Sequence, residues 1–387
     1  MLSVNLSKMN ILMITPFFKP NIGGVETHLE DLCKYLTRRG YRVFVVTYQP
    51  LSTKVRGPMV EKEGNLEVRR IPWFGYNLFN LLEPNPVAEI LYLFPALFLY
   101  SLLFMLINFK RVNIVHTHGI VASLVGKFLK LFFRPKFVAT MHTTYYLDKR
   151  PFLRRIFRWV LSSYDKILFV SHGIMHEFVK SGINPAKAKV FTYWADGGRF
   201  KPMNKLECRR MLGLNCEFLV LFVGRLIREK GVHILNEVAR LSNGRIKFAV
   251  ITSGSKKEFE RMVGSELPNN MIYIGPVDYS KLHLYYSAAD MLILPSQYRE
   301  GFSRAVLESA LCGTPVVASK VGCLPEVVTW DVGVLVDPPT PQAFHRVIEY
   351  FFNNREELHK LSARCSEYAR RVFTEGNAKI IEEAYYV

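Results

Sequence analysis

The chain has 387 residues, 49% of them apolar and 22% charged, and a formal net charge of +18. That length allows two domains of ordinary size, and that balance excludes a disordered or collagen-like chain. The charge is uneven: residues 1–200 hold 27 Lys and Arg against 12 Asp and Glu, residues 201–387 hold 24 against 21, and the stretch 101–200 alone holds 16 against 4.

In chain order, Met1–Asn10 is polar and Ile11–Ile14 is too short for the apolar core of a signal peptide. Ile11–Thr15 reads as a strand, Pro20–Gly24 as a turn, and Val25–Arg39 as a helix with an apolar stripe at Leu29, Leu32, Cys33 and Leu36, ended by Gly40. Strands follow at Val43–Thr47, Leu66–Arg70, Ile114–His116, Phe137–Thr140 and Ile167–Val170. Between them, Ile90–Phe109 carries no charge over 20 residues, which meets the length for a membrane span. Pro95 interrupts it and a strand-like Val112–Val115 follows, so it is expected to be a crossover helix, with contact of one face with a membrane left open. The pattern restarts after residue 215 with strands at Phe218–Phe222, Phe248–Thr252, Met271–Ile274, Met291–Leu294, Val316–Ala318 and Gly333–Val336, and a helix at Val232–Leu241. Alternation of this kind predicts an α/β protein of two doubly wound units, joined near Phe191–Lys205, where Asp196-Gly197-Gly198 and Pro202 break the pattern.

Several residues carry chemistry. Gly224-Arg225 ends a strand, where ligands bind in open α/β sheets. Arg225 can fork two phosphate oxygens, Lys230 adds a mobile cation, and the helix after Gly231 adds its positive end; a plain turn with a solvated basic edge is the alternative. Glu300 in a loop and Glu308 on the helix from Ser303 stand in one bend, so both carboxylates are expected to accept hydroxyl hydrogen bonds from a sugar or ribose; two solvated glutamates are the alternative. His118 follows the strand from Ile114 and precedes Gly119, and His142 follows the strand from Phe137; both are placed for hydrogen-bond or proton roles, with His116 nearer a structural one. Gly23-Gly24 reads as a tight loop able to meet an anion or a sugar, without the spacing of a dinucleotide fingerprint.

Lys149–Leu161, with Arg154 and Arg155, interleaves cations with large apolar residues, and Lys127, Lys130, Arg134 and Lys136 extend the charge. An anionic membrane surface is the preferred partner, a solvated helix face with a buried apolar stripe is the alternative, and nucleic acid is not favoured because no nucleic-acid motif appears. The six cysteines are scattered without a C-x-x-C pair, so neither a disulfide framework nor a zinc site is expected and a reducing cytosol fits.

Taken together, Pro20–Glu26, His116–Gly119, Phe169–Ser171, Gly224–Gly231, Glu300–Glu308, Gly313–Ser319 and Gly322–Glu326 resemble the GT-B-fold retaining glycosyltransferases of the large group called family 4. The resemblance implies two Rossmann-like domains facing a central cleft: 1–198 on the acceptor side, 199–372 binding the nucleotide sugar, and 373–387 a helix crossing back. It implies that Arg225 and Lys230 hold the donor diphosphate, Glu308 the ribose, and Glu300 the sugar hydroxyls. Gly224, Gly301, Phe302 and Ser303 lie nearby, Gly23 and Gly24 approach the donor, and His118 sits by the reacting sugar. His142, Arg154 and Arg155 are acceptor-side candidates. It implies a UDP- or GDP-sugar as donor substrate, no cofactor and no metal. The cationic first half and its apolar segment point to a lipid-linked acceptor at a cytosolic membrane face, such as a phosphoinositide-like or polyprenyl-phosphate glycolipid. One departure stands out: Thr192-Tyr193-Trp194-Ala195-Asp196 replaces the family's Pro-Asn-Gly-Val-Asp. A nucleotide-sugar binder without turnover, a sugar-nucleotide epimerase of similar fold, and a basic nucleic-acid binder are the competing readings.

Overall fold

The computed structural model describes residues 9–73, 78–82, 85–298 and 300–386. The first half contains strands β1 (Asn10–Ile14), β2 (Arg42–Tyr48), β3 (Val60–Glu63), β4 (Leu66–Ile71), β5 (Ile114–His118), β6 (Lys136–Met141), β7 (Lys166–Phe169) and β8 (Ala188–Val190). Its helices are α1 (Gly24–Arg38), α2 (Leu78–Leu82), α3 (Pro86–Asn108), α4 (Gly119–Leu129), α5 (Pro151–Leu161) and α6 (His172–Lys180). The second half contains helices α7 (Lys205–Leu212), α8 (Val232–Leu241), α9 (Lys256–Val263), α10 (Leu282–Ala288), α11 (Arg304–Leu311), α12 (Leu324–Val327), α13 (Pro341–Asn353) and α14 (Arg355–Val372). Its strands are β9 (Phe218–Val223), β10 (Ile246–Ile251), β11 (Met271–Gly275), β12 (Met291–Leu294), β13 (Val316–Ser319) and β14 (Gly333–Val336), and α15 (Ala378–Glu383) comes last.

The chain divides into two compact units, one running to Thr192 and resuming at Glu375, the other Tyr193–Thr374. The first holds one sheet of order β3-β4-β2-β1-β5-β6-β7-β8, parallel throughout except for the β3–β4 pair. Its central strands are buried on both faces: Ile11, Leu12, Met13 and Ile14 are each at most 1% exposed, as a parallel sheet covered by helices requires. The sequence pattern misses β3 because all four of its residues are exposed and most are charged. This short charged edge strand leaves little for another chain to pair with.

The second unit holds a wholly parallel sheet of order β11-β10-β9-β12-β13-β14. Phe218, Val220 and Phe222 alternate along β9 and meet Val232, Leu235 and Val238 of α8 and Phe344 and Ile348 of α13 in one core. In each sheet the strand order reverses once, at β1/β5 and at β9/β12. Loops leaving the carboxyl ends of those strands diverge, and the crevice they leave is where such sheets bind ligands.

Pro95 does not interrupt α3, which runs unbroken from Pro86 to Asn108. The reason is local. The Tyr48 hydroxyl of β2 donates to the carbonyl of Leu93 and accepts from the amide of Leu97 at 3.0 Å. A hydroxyl thus stands in for a rung of the helix ladder beside the proline, which is how a kink-prone position is kept helical. The helix crosses from β4 to β5, as the pattern predicts, and packs Phe104 on Phe44 and Phe94 and Phe98 on Phe128 of α4. Only 28% of its most apolar 18-residue window is buried, with Leu91 71% and Ile107 79% exposed.

The segment from Glu375 closes onto the first unit. Glu382 accepts hydrogen bonds from the hydroxyls of Tyr35 (2.7 Å) and Tyr41 (2.9 Å) and pairs with Arg39; Glu375 pairs with Arg38 and Glu383 with Lys189.

Candidate active site

In the second unit the chain leaves β9 through Gly224 and Arg225 and enters α8 through a 3₁₀ turn, Arg228–Lys230, and Gly231. Gly231 has φ +74°, and a Cβ there would stand 1.8 Å from the carbonyl oxygen of Pro295. Only glycine lets the β9 loop press against the end of β12 in this way. A bond from the amide of Gln297 to the carbonyl of Glu229 (2.8 Å) ties the same two loops together.

That approach delivers Lys230 to Glu300. Their ion pair measures 3.0 Å, with side chains 16% and 2% exposed, and the Ser296 hydroxyl also donates to Glu300. Burial pulls the Lys230 pKa down, but the charge of Glu300, together with Tyr298 and the hydrogen bond, outweighs it and leaves the ammonium above its ordinary value. Arg225 is close enough for its charge to oppose that rise. Arg225, Lys230 and Glu300 therefore meet at the β9/β12 switch point, beside an α8 N-terminus that no side chain caps. Two cations and a helix end gathered there suit a multiply charged anion.

Glu308 has its own set of partners. It sits in α11, buried, and accepts from Arg304 Nε, the Tyr279 hydroxyl and the Tyr286 hydroxyl, each at 3.1 Å. Burial raises its pKa and the Arg304 charge works against the rise. Arg304 also donates to Tyr279 (2.9 Å) and to the carbonyl of Trp194 (3.1 Å). A carboxylate offers about four lone-pair sites, so Glu308 retains limited acceptor capacity while these three bonds stand. Gly301 and Ser303, between Glu300 and Glu308 in the sequence, are buried, and Phe302 packs on Tyr193 at 4.8 Å. Sequence reasoning missed Arg304, Tyr279 and Ser296. The four-residue spacing of Arg304 and Glu308 was a legible signal for the first; nothing local marked the others.

In the first unit, β1 leads to Gly23-Gly24 and α1. A Cβ on Gly23 would come 2.3 Å from the Glu26 carboxylate, which Asn21 holds at 2.5 Å. The chain's own carboxylate therefore occupies the first turn of α1, so this loop is less suited to an anion than to a neutral, hydroxyl-rich ligand. From β5, His116 and His118 point to one face of the sheet, as residues two apart must. Their rings lie 4.1 Å apart. His118 Nδ1 is 3.2 Å from His142 Nε2, and His28 of α1 lies 5.9 Å from the His142 ring. His118 Nε2 is buried without a hydrogen-bond partner among the described residues. Burial pulls His116 and His142 down to about 3, and burial with the neighbouring histidines pulls His118 well below its ordinary value. These rings are neutral at physiological pH. Arg154 and Arg155 instead lie exposed on α5, in no described contact with the histidines. Among the described residues, no three His, Cys, Asp or Glu are arranged to hold a metal ion.

Comparison with known proteins fits this geometry. Residues 208–372 match the family model described as glycosyl transferases group 1, and residues 22–192 match glycosyltransferase family 4. The phosphatidylinositol N-acetylglucosaminyltransferase subunit of Arabidopsis thaliana is 27% identical over 370 residues, covering 91% of this chain and 77% of the relative. The D-inositol 3-phosphate glycosyltransferase of Corynebacterium diphtheriae is 26% identical over 398 residues, covering 94% and 89%. Among solved structures, a sucrose-phosphate synthase from Thermosynechococcus elongatus superposes with a TM-score of 0.79 at 21% identity, covering 98% of both chains. HepE of Anabaena in complex with UDP-glucose gives 0.76 at 20%, covering 97% and 98%. The fold is GT-B.

Proposed function

Because the chain belongs to the group 1, family 4 glycosyltransferases, we propose that it moves a sugar from a UDP- or GDP-sugar to a hydroxyl of a lipid-borne acceptor, with retention at the anomeric carbon. The observation that carries this reading is the meeting of Arg225, Lys230 and Glu300 at the β9/β12 switch point. Lys230 and Arg225 take the diphosphate, helped by the end of α8, and Glu300, released from Lys230, accepts from sugar hydroxyls. Glu308 receives the ribose hydroxyls, and His118 offers Nε2 to a hydroxyl of the reacting sugar.

In the reaction, the bond from the anomeric carbon to the phosphate oxygen breaks and leaves an oxocarbenium-like sugar. The acceptor oxygen attacks the same face, and its proton passes to the departing phosphate. The cations stabilise the negative charge that develops on the diphosphate, the term that commonly dominates such catalysis. No divalent metal is required for this; turnover that persists in excess EDTA supports that part of the reading, and its loss removes it.

The first unit's surface supports a lipid-borne acceptor. Exposed Leu91, Leu99, Leu103, Leu106 and Ile107 on α3 continue through Phe128 to Trp159 of α5, 6.2 Å away, with Lys127 over the Trp159 ring at 4.3 Å. Leu131, Phe132 and Phe152 are exposed on the same helices and the loop joining α4 to β6, and Arg154, Arg155 and Arg158 flank Trp159 in the sequence. Exposed apolar residues with cations alongside fit the headgroup boundary of an anionic bilayer. Two relatives are named for inositol-bearing acceptors, which favours phosphatidylinositol as the first acceptor to try, at a cytosolic membrane face.

The test is release of UDP from UDP-N-acetylglucosamine or UDP-glucose with phosphatidylinositol vesicles. Glycolipid product in the wild type, and loss of most turnover in Arg225→Ala and Lys230→Ala, is the expected result. Near-normal transfer in both variants refutes the assigned roles. Failure to sediment with anionic vesicles at low salt removes the membrane acceptor.

A further inference from the structure

We propose that Tyr385, contributed by the segment that returns to the first unit, is a positioning residue for transfer: it fixes the His116 ring, and His116 in turn sets the attitude of His118. This inference rests on the use of His118 proposed above.

The geometry is a short chain of contacts. His116 is fully buried in the middle of the first sheet, with each ring nitrogen held: Nδ1 to the Tyr385 hydroxyl at 2.8 Å and Nε2 to the Thr140 hydroxyl of β6 at 2.8 Å. The Tyr385 ring stands edge-on to the His116 ring, 5.6 Å away at 76°. The other face of the contact is His118, 4.1 Å from His116, and its Nδ1 is bonded to His142. His118 thus has His116 packed beside it and His142 at one nitrogen, leaving Nε2 as the atom with no described protein partner.

Protonation fixes the sense of these bonds. Burial keeps His116 neutral, so one nitrogen donates and the other accepts. Burial also keeps the Tyr385 phenol protonated, and it has one described hydrogen-bond partner, His116. If it accepted from Nδ1–H, its own proton would be left buried without an acceptor, an expensive arrangement. Tyr385 therefore donates to Nδ1, and His116 Nε2–H donates to Thr140. A single tautomer and a single ring orientation result. Metal ligation and pH sensing are not needed to account for His116; its partners make it a fixed wall for His118.

The position is also braced from outside. Two tyrosines of the first unit, Tyr35 and Tyr41, bond Glu382, three residues before Tyr385, and Tyr41 bonds Tyr386 at 2.5 Å. These contacts hold the returning segment but touch no histidine, and so they supply a control.

The test uses the full chain carrying ¹⁵N-labelled histidine. In Tyr385→Phe the ring and its packing stay and one hydroxyl goes. The expected result is a loss of about fivefold in kcat for UDP release from UDP-N-acetylglucosamine with phosphatidylinositol vesicles, the factor equivalent to one neutral hydrogen bond of ~1 kcal/mol. KM for the nucleotide sugar should stay within about twofold, since Tyr385 touches no donor group. The His116 nitrogen signals should move toward a mixture of tautomers. Tyr41→Phe, which loosens the same segment elsewhere, should leave both kcat and those signals as in the wild type. Should Tyr385→Phe fold poorly, Thr140→Val removes the other partner of His116 and should reproduce the loss, with Thr140→Ser restoring it. Wild-type kcat in Tyr385→Phe, unchanged His116 signals, or an equal loss in Tyr41→Phe each overturns the inference. His118→Ala separates the two readings. Full turnover there overturns both, while loss there with wild-type turnover in Tyr385→Phe overturns this one alone.

Discussion

The buried Lys230–Glu300 pair allows a stability role and an anion-binding role to be told apart. At 3.0 Å, and with an effective dielectric of ~20, the two charges attract by about 5–6 kcal/mol. Desolvation takes back much of that, so the measurable cost lies in breaking the pair, which leaves one buried ion alone at about 3–5 kcal/mol. Lys230 is 16% exposed, so Lys230→Met should fall at the low end, near ~3 kcal/mol. For a unit of this size that is a drop of roughly 6–12 °C in its melting transition. Adding Glu300→Gln keeps a group able to accept from Ser296 and removes the orphaned charge, so the double variant should return to within about 1 kcal/mol of the wild type. Turnover should not return: both variants lack the cation that faces the leaving diphosphate and should sit ~10²–10³-fold down. Calorimetric or urea melts of the four-member cycle, with UDP-release assays on the same preparations, give the answer. A double variant no more stable than Lys230→Met refutes the coupling, and a double variant with recovered turnover refutes the role given to Lys230. Because the Lys230 pKa is raised in the fold, its contribution should be complete below about pH 10.4 and fade only above it.

Acid should weaken the first unit through its histidines: His116 and His142 titrate near 3 in the fold and His118 well below its ordinary value. Their contribution should be full above about pH 6.5 and fall toward pH 3 by roughly 1.4 kcal/mol per histidine per unit; a flat urea midpoint between pH 7 and pH 5 contradicts this. Gly231→Ala and Gly264→Ala place alanine at the same φ of +74°, but only the first meets an atom, the Pro295 carbonyl at 1.8 Å. Gly264→Ala should cost about 1–2 kcal/mol and Gly231→Ala clearly more, and equal costs would show that the β9–β12 contact is not tight. Leu103→Ser with Ile107→Ser, both on the outer face of α3, should leave the melting temperature almost unchanged and cut sedimentation with anionic vesicles at least about tenfold. Unchanged sedimentation removes α3 from the proposed membrane contact.

Most of the strand pattern was legible because buried parallel strands are short apolar runs between loops. Met291–Leu294, Gly333–Val336 and the helix Val232–Leu241 were read with the bounds that the structure gives them. What failed to show was structure supported from a distance. The helicity of α3 through Pro95 depends on a hydroxyl from Tyr48, 47 residues away in sequence, and no local rule finds it. Of the site, Arg225, Lys230 and Glu300 were legible as residue types at strand ends. Their pairing depends on the close approach at Gly231, which spacing alone does not encode. The bonds of Glu308 to Tyr279 and Tyr286 likewise arise from helices brought together by the fold. The histidine cluster was partly legible: His116 and His118 share a strand face by parity, but the involvement of Tyr385, 269 residues on, was not.

The first unit is completed by residues that the ribosome makes after the whole of the second. Until Glu382 and Tyr385 emerge, Tyr35 and Tyr41 lack the carboxylate they bond in the finished protein, and His116 keeps Thr140 but lacks the partner of its Nδ1. While the second unit is being made, the first can assemble its sheet, but the hydroxyls of Tyr35 and Tyr41 and the Nδ1 of His116 still lack their bonds to the returning segment. The contacts that seal the earliest-made strands are thus among the last that synthesis allows.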